Sequence, residues 1–221
     1  MEINLTQADM NAVSNRDSDF LNSKGAKFYG KEEYEKGVEY YRLASSMGNI
    51  QATSNLGYCY LYGRSIPVNV DLAIQYFKIA AERGNMDAIY KLGDIYSRDK
   101  WGKEDKEMAS YYYLKGLKEF DESLWELYYN DDVRFYPSLF FAIGRESMPN
   151  GILNTDLDLA YISLKIAQEG YEKYLADGDK MYQESYENVL KLLEDEELSD
   201  AKSRFEDRYG INDEFDEDEE E

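Results

Sequence analysis

Residues 49–84 read NIQATSNLGYCYLYGRSIPVNVDLAIQYFKIAAERG, and residues 85–116 read NMDAIYKLGDIYSRDKWGKEDKEMASYYYLKG. Set 36 residues apart, the two stretches superimpose. Ala52 falls on Ala88, Leu56-Gly57 on Leu92-Gly93, Tyr60 on Tyr96, Ala73 on Ala109, and Tyr76-Phe77 on Tyr112-Tyr113. A period of this size marks an architecture of stacked supersecondary units. Further copies lie on either side. Downstream, Ile143-Gly144 takes the Leu-Gly place and Asp158-Leu159-Ala160 repeats Asp71-Leu72-Ala73. Upstream, Gly25 and Phe28 stand in the first half, and Tyr40-Tyr41 with Ala44 in the second.

Each copy reads as two helices. In 71–83 the apolar residues Leu72, Ala73, Tyr76, Phe77 and Ala80 recur on one face of a 3.6-residue helix. Asp71 is placed to cap its start, and Gly84-Asn85 to end it. The preceding helix, 50–62, turns Ala52, Leu56, Cys59 and Tyr60 to the same core. Glycine inside a helix costs ~1 kcal/mol. Its recurrence at 57, 93 and 144 therefore predicts a close approach of the two helix backbones. Such pairs cannot bury their faces alone and must stack on neighbours.

The pattern A-x-x-x-L-G-x-x-Y-x-x-G, a short loop, then D-x-A-x-x-Y-[FY]-x-x-A-A-x-x-G resembles the Sel1-like repeat, a relative of the tetratricopeptide repeat. Residues 52–84 carry it almost throughout, in Ala52, Leu56-Gly57, Tyr60, Gly63, Ile66, Ala73, Tyr76-Phe77, Ala80-Ala81 and Gly84. Ser65 departs from it where a second loop glycine is usual, and 117–135 fits no clean register. The resemblance covers about 23–170. It implies an all-α fold, a right-handed α/α superhelical solenoid that binds other proteins. Residues 18–211 form the expected solenoid, closed by helices between Tyr171 and Tyr209 that cap the stack. Residues 1–17 read as a polar extension and 212–221 as a disordered acidic tail.

Composition narrows the function. The 221 residues contain no His and a single Cys, so His-based nucleophile pairs, His-ligated metals and Cys-rich zinc knuckles are excluded. There are 46 acidic against 25 basic side chains, a net charge of −21. Eight acids crowd 213–221, leaving −13 on residues 1–212. An acidic surface repels phosphate backbones and anionic lipid and attracts basic proteins. The start, Met-Glu-Ile-Asn, has neither a basic nor an apolar leader region, and no apolar run approaches the ~20 residues of a spanning helix. The expectation is a cytoplasmic protein with a basic protein partner, no nucleic acid, no membrane, no metal and no cofactor.

Motif-like stretches fail on their details. Gly25-Ala-Lys-Phe-Tyr-Gly30-Lys31 imitates a phosphate-binding loop, but Glu32 stands where Ser or Thr must hold Mg²⁺. Asn154-x-Asp156-x-Asp158 opens like a calcium loop, yet Leu159 replaces its glycine and Lys165 its glutamate. Ser97-Arg-Asp-Lys100 has no Lys-Thr-Gly partner, Asp158 reads as a helix cap, and Cys59 as a buried apolar residue with no base beside it. Tyrosine, 22 residues in all, exceeds what the core positions use, and Tyr suits interfaces by giving large area at low entropy cost.

In arrays of this kind the first helix of each pair lines the concave face. The off-core positions there are Asn55, Tyr58 and Tyr62, then Lys91, Asp94 and Arg98, and Arg145 in the last copy. These are the candidate partner-binding residues, with no catalytic residue proposed. The function expected is a non-enzymatic interaction module, in its sharper form one that neutralises a basic protein as an immunity protein or inhibitor would. An adaptor in a signalling or stress-response assembly is the alternative. A β-lactam hydrolase, as some secreted, cysteine-rich relatives are described, is a remote one, since their paired cysteines are missing here.

Overall fold

A computed structural model describes residues 5–210, and among these all regular structure is helical. The chain divides into two compact units, Met1–Glu104 and Asp105–Glu221.

The first unit holds α1 (Gln7–Ser14), α2 (Ser18–Gly30), α3 (Tyr34–Ser46), α4 (Ile50–Tyr62), α5 (Val70–Ala81) and α6 (Met86–Ser97), then a 3₁₀ turn at Asp99–Trp101. Consecutive helices pack on each other from α1 to α6. Asparagine starts three of them: Asn49, Asn69 and Asn85 each accept a hydrogen bond from the backbone N–H three residues on. The cap of α5 is thus Asn69, not Asp71. Asp71 lies in the first turn, where a negative charge suits the helix dipole, and pairs with Lys103 at 2.5 Å.

The repeat signature has a local cause. A Cβ on Gly57 would lie 2.7 Å from the Phe77 ring, and one on Gly25 would lie 2.8 Å from the Tyr41 ring. A side chain of the second helix, rather than its backbone, fills the space each glycine leaves. Three residues further on, Phe28 stacks on Tyr40 and Tyr60 on Tyr76, both at 5.4 Å and within 14° of parallel. The aromatic dyads of α3 and α5 therefore have two tasks: one ring presses on the glycine and the other stacks beside it. Leu21, Val38, Ala44, Ala52, Leu56 and the fully buried Cys59 close the core around them.

Residues 6–14, within the stretch read as a polar extension, form a capped helix. Thr6 and Asp9 make a reciprocal capping box. Asp9 is fully buried and also binds Lys24 Nζ at 2.6 and 2.8 Å and accepts from the Tyr40 hydroxyl at 2.9 Å, tying α1 to α2 and α3. Burial alone would raise its pKa. The hydrogen bonds from Lys24, Thr6 and Tyr40 outweigh that and bring it down to about 2.

The second unit holds α7 (Lys106–Lys118), α8 (Leu124–Leu127), α9 (Pro137–Glu146), α10 (Leu157–Ala176), α11 (Gln183–Leu193) and α12 (Ser199–Tyr209), with 3₁₀ turns at Asp131–Phe135, Lys180–Tyr182 and Glu196–Leu198. α9 and α10 repeat the paired geometry: a Cβ on Gly144 would lie 2.7 Å from Leu164. In their register Ser147 and Ser163 replace the stacked rings. Both are buried, and among the described residues neither hydroxyl finds a partner. The cap of α10 is Asp156, not Asp158, which instead receives Arg204 at 2.6 Å. Tyr171 lies within α10, and α11 and α12 pack on that helix through Val189, Ala201 and Phe205. The stretch without clear register is held to α10 by Arg134. Its guanidinium bonds Glu169 at 2.6 Å and the Tyr128 and Asn130 carbonyls, while the Tyr128 hydroxyl donates to the same Glu169. The acidic tail expected at 212–221 lies outside the described residues.

Candidate functional site

In the first unit α2, α4 and α6 are the first helices of their pairs, and their side chains join in a row. Asn55 on α4 donates to Asn22 on α2 at 3.1 Å. Gln51 on α4 donates to Asp87 of α6 at 3.3 Å and accepts from Asn85, the α6 cap, at 2.9 Å. Asn49 reaches Asp19 at 2.7 Å. Polar contacts at equivalent positions thus run from one repeat to the next.

Six of the seven expected contact residues belong to this row. Tyr58 packs edge-on against Phe77 at 5.0 Å and stacks on Tyr62 at 6.3 Å. Tyr62 is 41 % exposed and meets Trp101 edge to face at 5.7 Å. Lys91 is largely buried, its ammonium over the Tyr90 and Tyr58 rings at 4.9 and 5.6 Å, an arrangement that a ring quadrupole favours. Asp94 takes both Lys91 at 3.0 Å and Arg98 at 2.8 Å, so one carboxylate holds two cations. Asn55 joins through Gln51 and Asn22. Arg145 belongs to the second unit, where it pairs with Glu146 at 2.7 Å and covers the Phe141 ring.

Desolvation shapes the electrostatics here. It pushes the Tyr58 phenol well above its ordinary range, and the nearby charges of Asp87 and Asp94 add to that. Asp87 is exposed, yet desolvation by the protein around it raises its carboxyl pKa, opposed by the Gln51 amide and Lys91. Sequence reasoning missed Asn22, Gln51, Asp87, Tyr90 and Trp101. The 36-residue interval between Gln51 and Asp87 was an available signal; the Trp101 contact was not, since the 3₁₀ turn that brings it to Tyr62 has no counterpart in the preceding copy.

Nothing in this arrangement resembles a nucleophile with its base. Cys59 is fully buried, and burial pushes its thiol up to about 12, so it behaves as a small apolar core residue. Among the described residues no helix is long and apolar enough to cross a membrane.

Helix pairs with a recurring glycine–ring contact, joined by a row of first-helix side chains, define an α-helical repeat protein. The Sel1 repeat family matches three consecutive stretches of the chain, residues 22–49, 50–85 and 87–118. Sel1 repeats are modules that bind other proteins. No curated protein matches the chain. Among solved structures, a Sel1 repeat protein from Oxalobacter formigenes is similar at 20 % identity over 50 % of this chain and 86 % of its own, with a TM-score of 0.43. A protective antigen of uropathogenic Escherichia coli with an SLR fold is similar at 15 % identity and a TM-score of 0.46. That match takes in 88 % of this chain, which spans 54 % of the antigen's length.

Proposed function

We propose that the chain is a non-catalytic binding module whose first unit holds a partner protein on the α2–α4–α6 row. The observation that carries this is the joined surface of Tyr58, Tyr62 and Trp101, in which Tyr62 stays 41 % exposed although the rings around it are packed. Aromatic anchors set in an ordered polar frame are where binding energy concentrates in protein interfaces.

The partner is a basic protein, and neutralising it is the role this reading favours. Support comes from how charge is distributed. Residues 1–104 carry 14 acidic and 13 basic side chains, whereas residues 105–221 carry 32 and 12. One unit offers a near-neutral binding row, and the other supplies the long-range field that speeds encounter with a basic protein.

The test places a photoreactive residue at Tyr62 in one protein and at Ser203, an exposed site on α12, in another, followed by irradiation in native lysate. A distinct basic protein should attach at 62 alone, and the yield should fall as salt rises beyond ~0.1 M, where the screening length is about 10 Å. The same adducts at both positions would refute the row as the binding site. An acidic partner insensitive to salt would refute the charge argument.

A further inference from the structure

In the second unit, α8 and the two residues after it carry the rings of Trp125, Tyr128 and Tyr129. Two of these rings are covered by a guanidinium of the chain itself. Arg208 lies over Trp125 at 5.3 Å, near enough to act on the Glu126 charge. Arg134 lies over Tyr128 at 4.9 Å, with Glu169 at 2.6 Å and Asp131 at 3.7 Å. Ring, guanidinium and carboxylate thus occur together twice on neighbouring rings. Tyr129 has the ring and the carboxylates without the guanidinium. It is 70 % exposed and meets Tyr209 edge to face at 5.1 Å, and among the described residues no cation covers it. It forms the wall of an open hollow lined by Glu122, Glu126, Asn130, Asp131 and Asp132.

The frame of this hollow is fixed. Leu127 and Val133, on either side of it in the chain, are buried. The Asn130 carboxamide accepts from the Asp132 N–H at 2.8 Å and donates to Glu122 at 3.0 Å, and the Tyr209 hydroxyl donates to the Trp125 carbonyl. The carboxylates keep capacity to spare. Among the described residues Glu122 and Asp132 pair with no cation, and the 91 % exposed Asp131 has only its 3.7 Å contact with Arg134. A guanidinium suits this set, because it lies flat on a ring while its fork bonds carboxylates, and an ammonium does neither as well. A metal ion suits it less, since among the described residues no three carboxylates converge to hold one. We infer that Tyr129, with Asp131 and Asp132, is a docking point for an arginine side chain of the partner. The partner would supply from outside the contact that Arg134 and Arg208 make from within. The inference rests on the reading above only in taking the partner to be basic. A cation on an exposed ring strengthens binding only roughly two- to fivefold, so this contact guides encounter and leaves residence to Tyr62 and Trp101.

The probe is the peptide Gly-Gly-Arg-Gly-Gly, blocked at both ends, with lysine and citrulline counterparts. Each is titrated into the isotope-labelled full chain and followed by backbone amide NMR shifts. Shifts should concentrate on residues 129–132, arginine should bind more tightly than lysine, and citrulline should not bind. Tyr129→Ala should weaken the arginine peptide by roughly two- to fivefold, and Tyr129→Phe, which keeps the ring, should not. Asp131→Asn combined with Asp132→Asn should weaken it by a similar factor. All three side chains are exposed, so circular dichroism melting of each variant should match the parent and separate lost recognition from lost fold. Arginine and lysine binding alike, or shifts spread evenly over the acids of residues 105–221, would leave only a diffuse field and overturn the docking point. Tyr62→Ala should leave the peptide affinity unchanged. Arginine binding lost in Tyr62→Ala but kept in Tyr129→Ala overturns this inference while the binding row stands. An arginine peptide held at Tyr129, with no basic protein attached through position 62, removes the row and leaves the docking point.

Discussion

Replacing Gly57 by alanine sets two effects of opposite sign against each other. Alanine in a helix interior is favoured over glycine by about 1 kcal/mol. The new Cβ, however, would lie 2.7, 2.8 and 2.9 Å from three carbons of the Phe77 ring, where ordinary contact begins at 3.4 Å. Phe77 is fully buried and flanked edge-on by Tyr58, so the ring has no open side to retreat into. Overpacking of a core by a methyl group costs about 1–3 kcal/mol, and the closed site puts this one at the upper end. The net expectation is a destabilisation of about 1–2 kcal/mol, or roughly 2–4 °C in Tm for each kcal/mol in a chain of this length. Thermal unfolding by circular dichroism measures it, with Gly30→Ala as the control: Gly30 has no neighbour within 4 Å of its added Cβ and should cost nothing. In a Phe77→Ala background, where no atom beyond Cβ remains opposite the glycine, the Gly57→Ala penalty should largely disappear. A Gly57→Ala variant as stable as the parent, or a penalty unchanged in the Phe77→Ala background, would refute the account of why the glycine recurs.

Asp9 yields a pH-dependent prediction. Its folded pKa of about 2 lies below the unfolded value near 3.8, so its contribution is complete above pH ~4 and disappears as pH falls towards 2. The shift corresponds to at most about 2.5 kcal/mol, and solvent reaching the partly exposed Lys24 reduces that to about 1–2. Urea unfolding should find Asp9→Asn less stable by that amount at pH 7, with the difference shrinking below pH 4; a constant difference down to pH 3 would contradict the linkage. At the start of α5, Asn69→Ala should cost about 1 kcal/mol and Asp71→Ala no more than half of that, both read from melting curves.

The fold was legible because the period repeats a physical requirement rather than a motif. Leu56-Gly57 in one helix and Tyr76-Phe77 in the next are two halves of one contact, and the same residue types recur 36 positions on as Leu92-Gly93 and Tyr112-Tyr113. The predicted helix at 50–62 coincides with Ile50–Tyr62. The signature fades in the α9–α10 pair for a reason of the same kind: Gly144 keeps its contact, but two serines stand in the ring positions, so little aromatic pattern remains to be read. The caps were misplaced by two residues because Asn69-x-Asp71 and Asp156-x-Asp158 each offer two competent acceptors, and local sequence does not say which has the non-helical backbone. α1 had a visible Thr6-x-x-Asp9 box, but its value depends on Lys24 and Tyr40, partners 15 and 31 residues away from Asp9.

The contact residues were legible as register positions but not as a surface. Knowing that 55, 58 and 62 leave the core says nothing of Lys91, whose ammonium lies between two tyrosine rings and a carboxylate rather than in solvent. Net charge misled in a similar way, since −21 suggests a uniformly acidic body whereas residues 1–104 are almost balanced. The distinction has mechanistic weight. Electrostatic attraction acts over distance and depends on salt, whereas stacking and hydrogen bonding act at contact and are much less sensitive to it. On the proposed reading, the acids of residues 105–221 govern association with a basic partner and the rings of Tyr62 and Trp101 govern its dissociation. Removing acids from residues 105–221 should slow association with a basic partner and leave its residence time nearly unchanged. Changes at Tyr62 or Trp101 should shorten the residence time and leave the association rate intact.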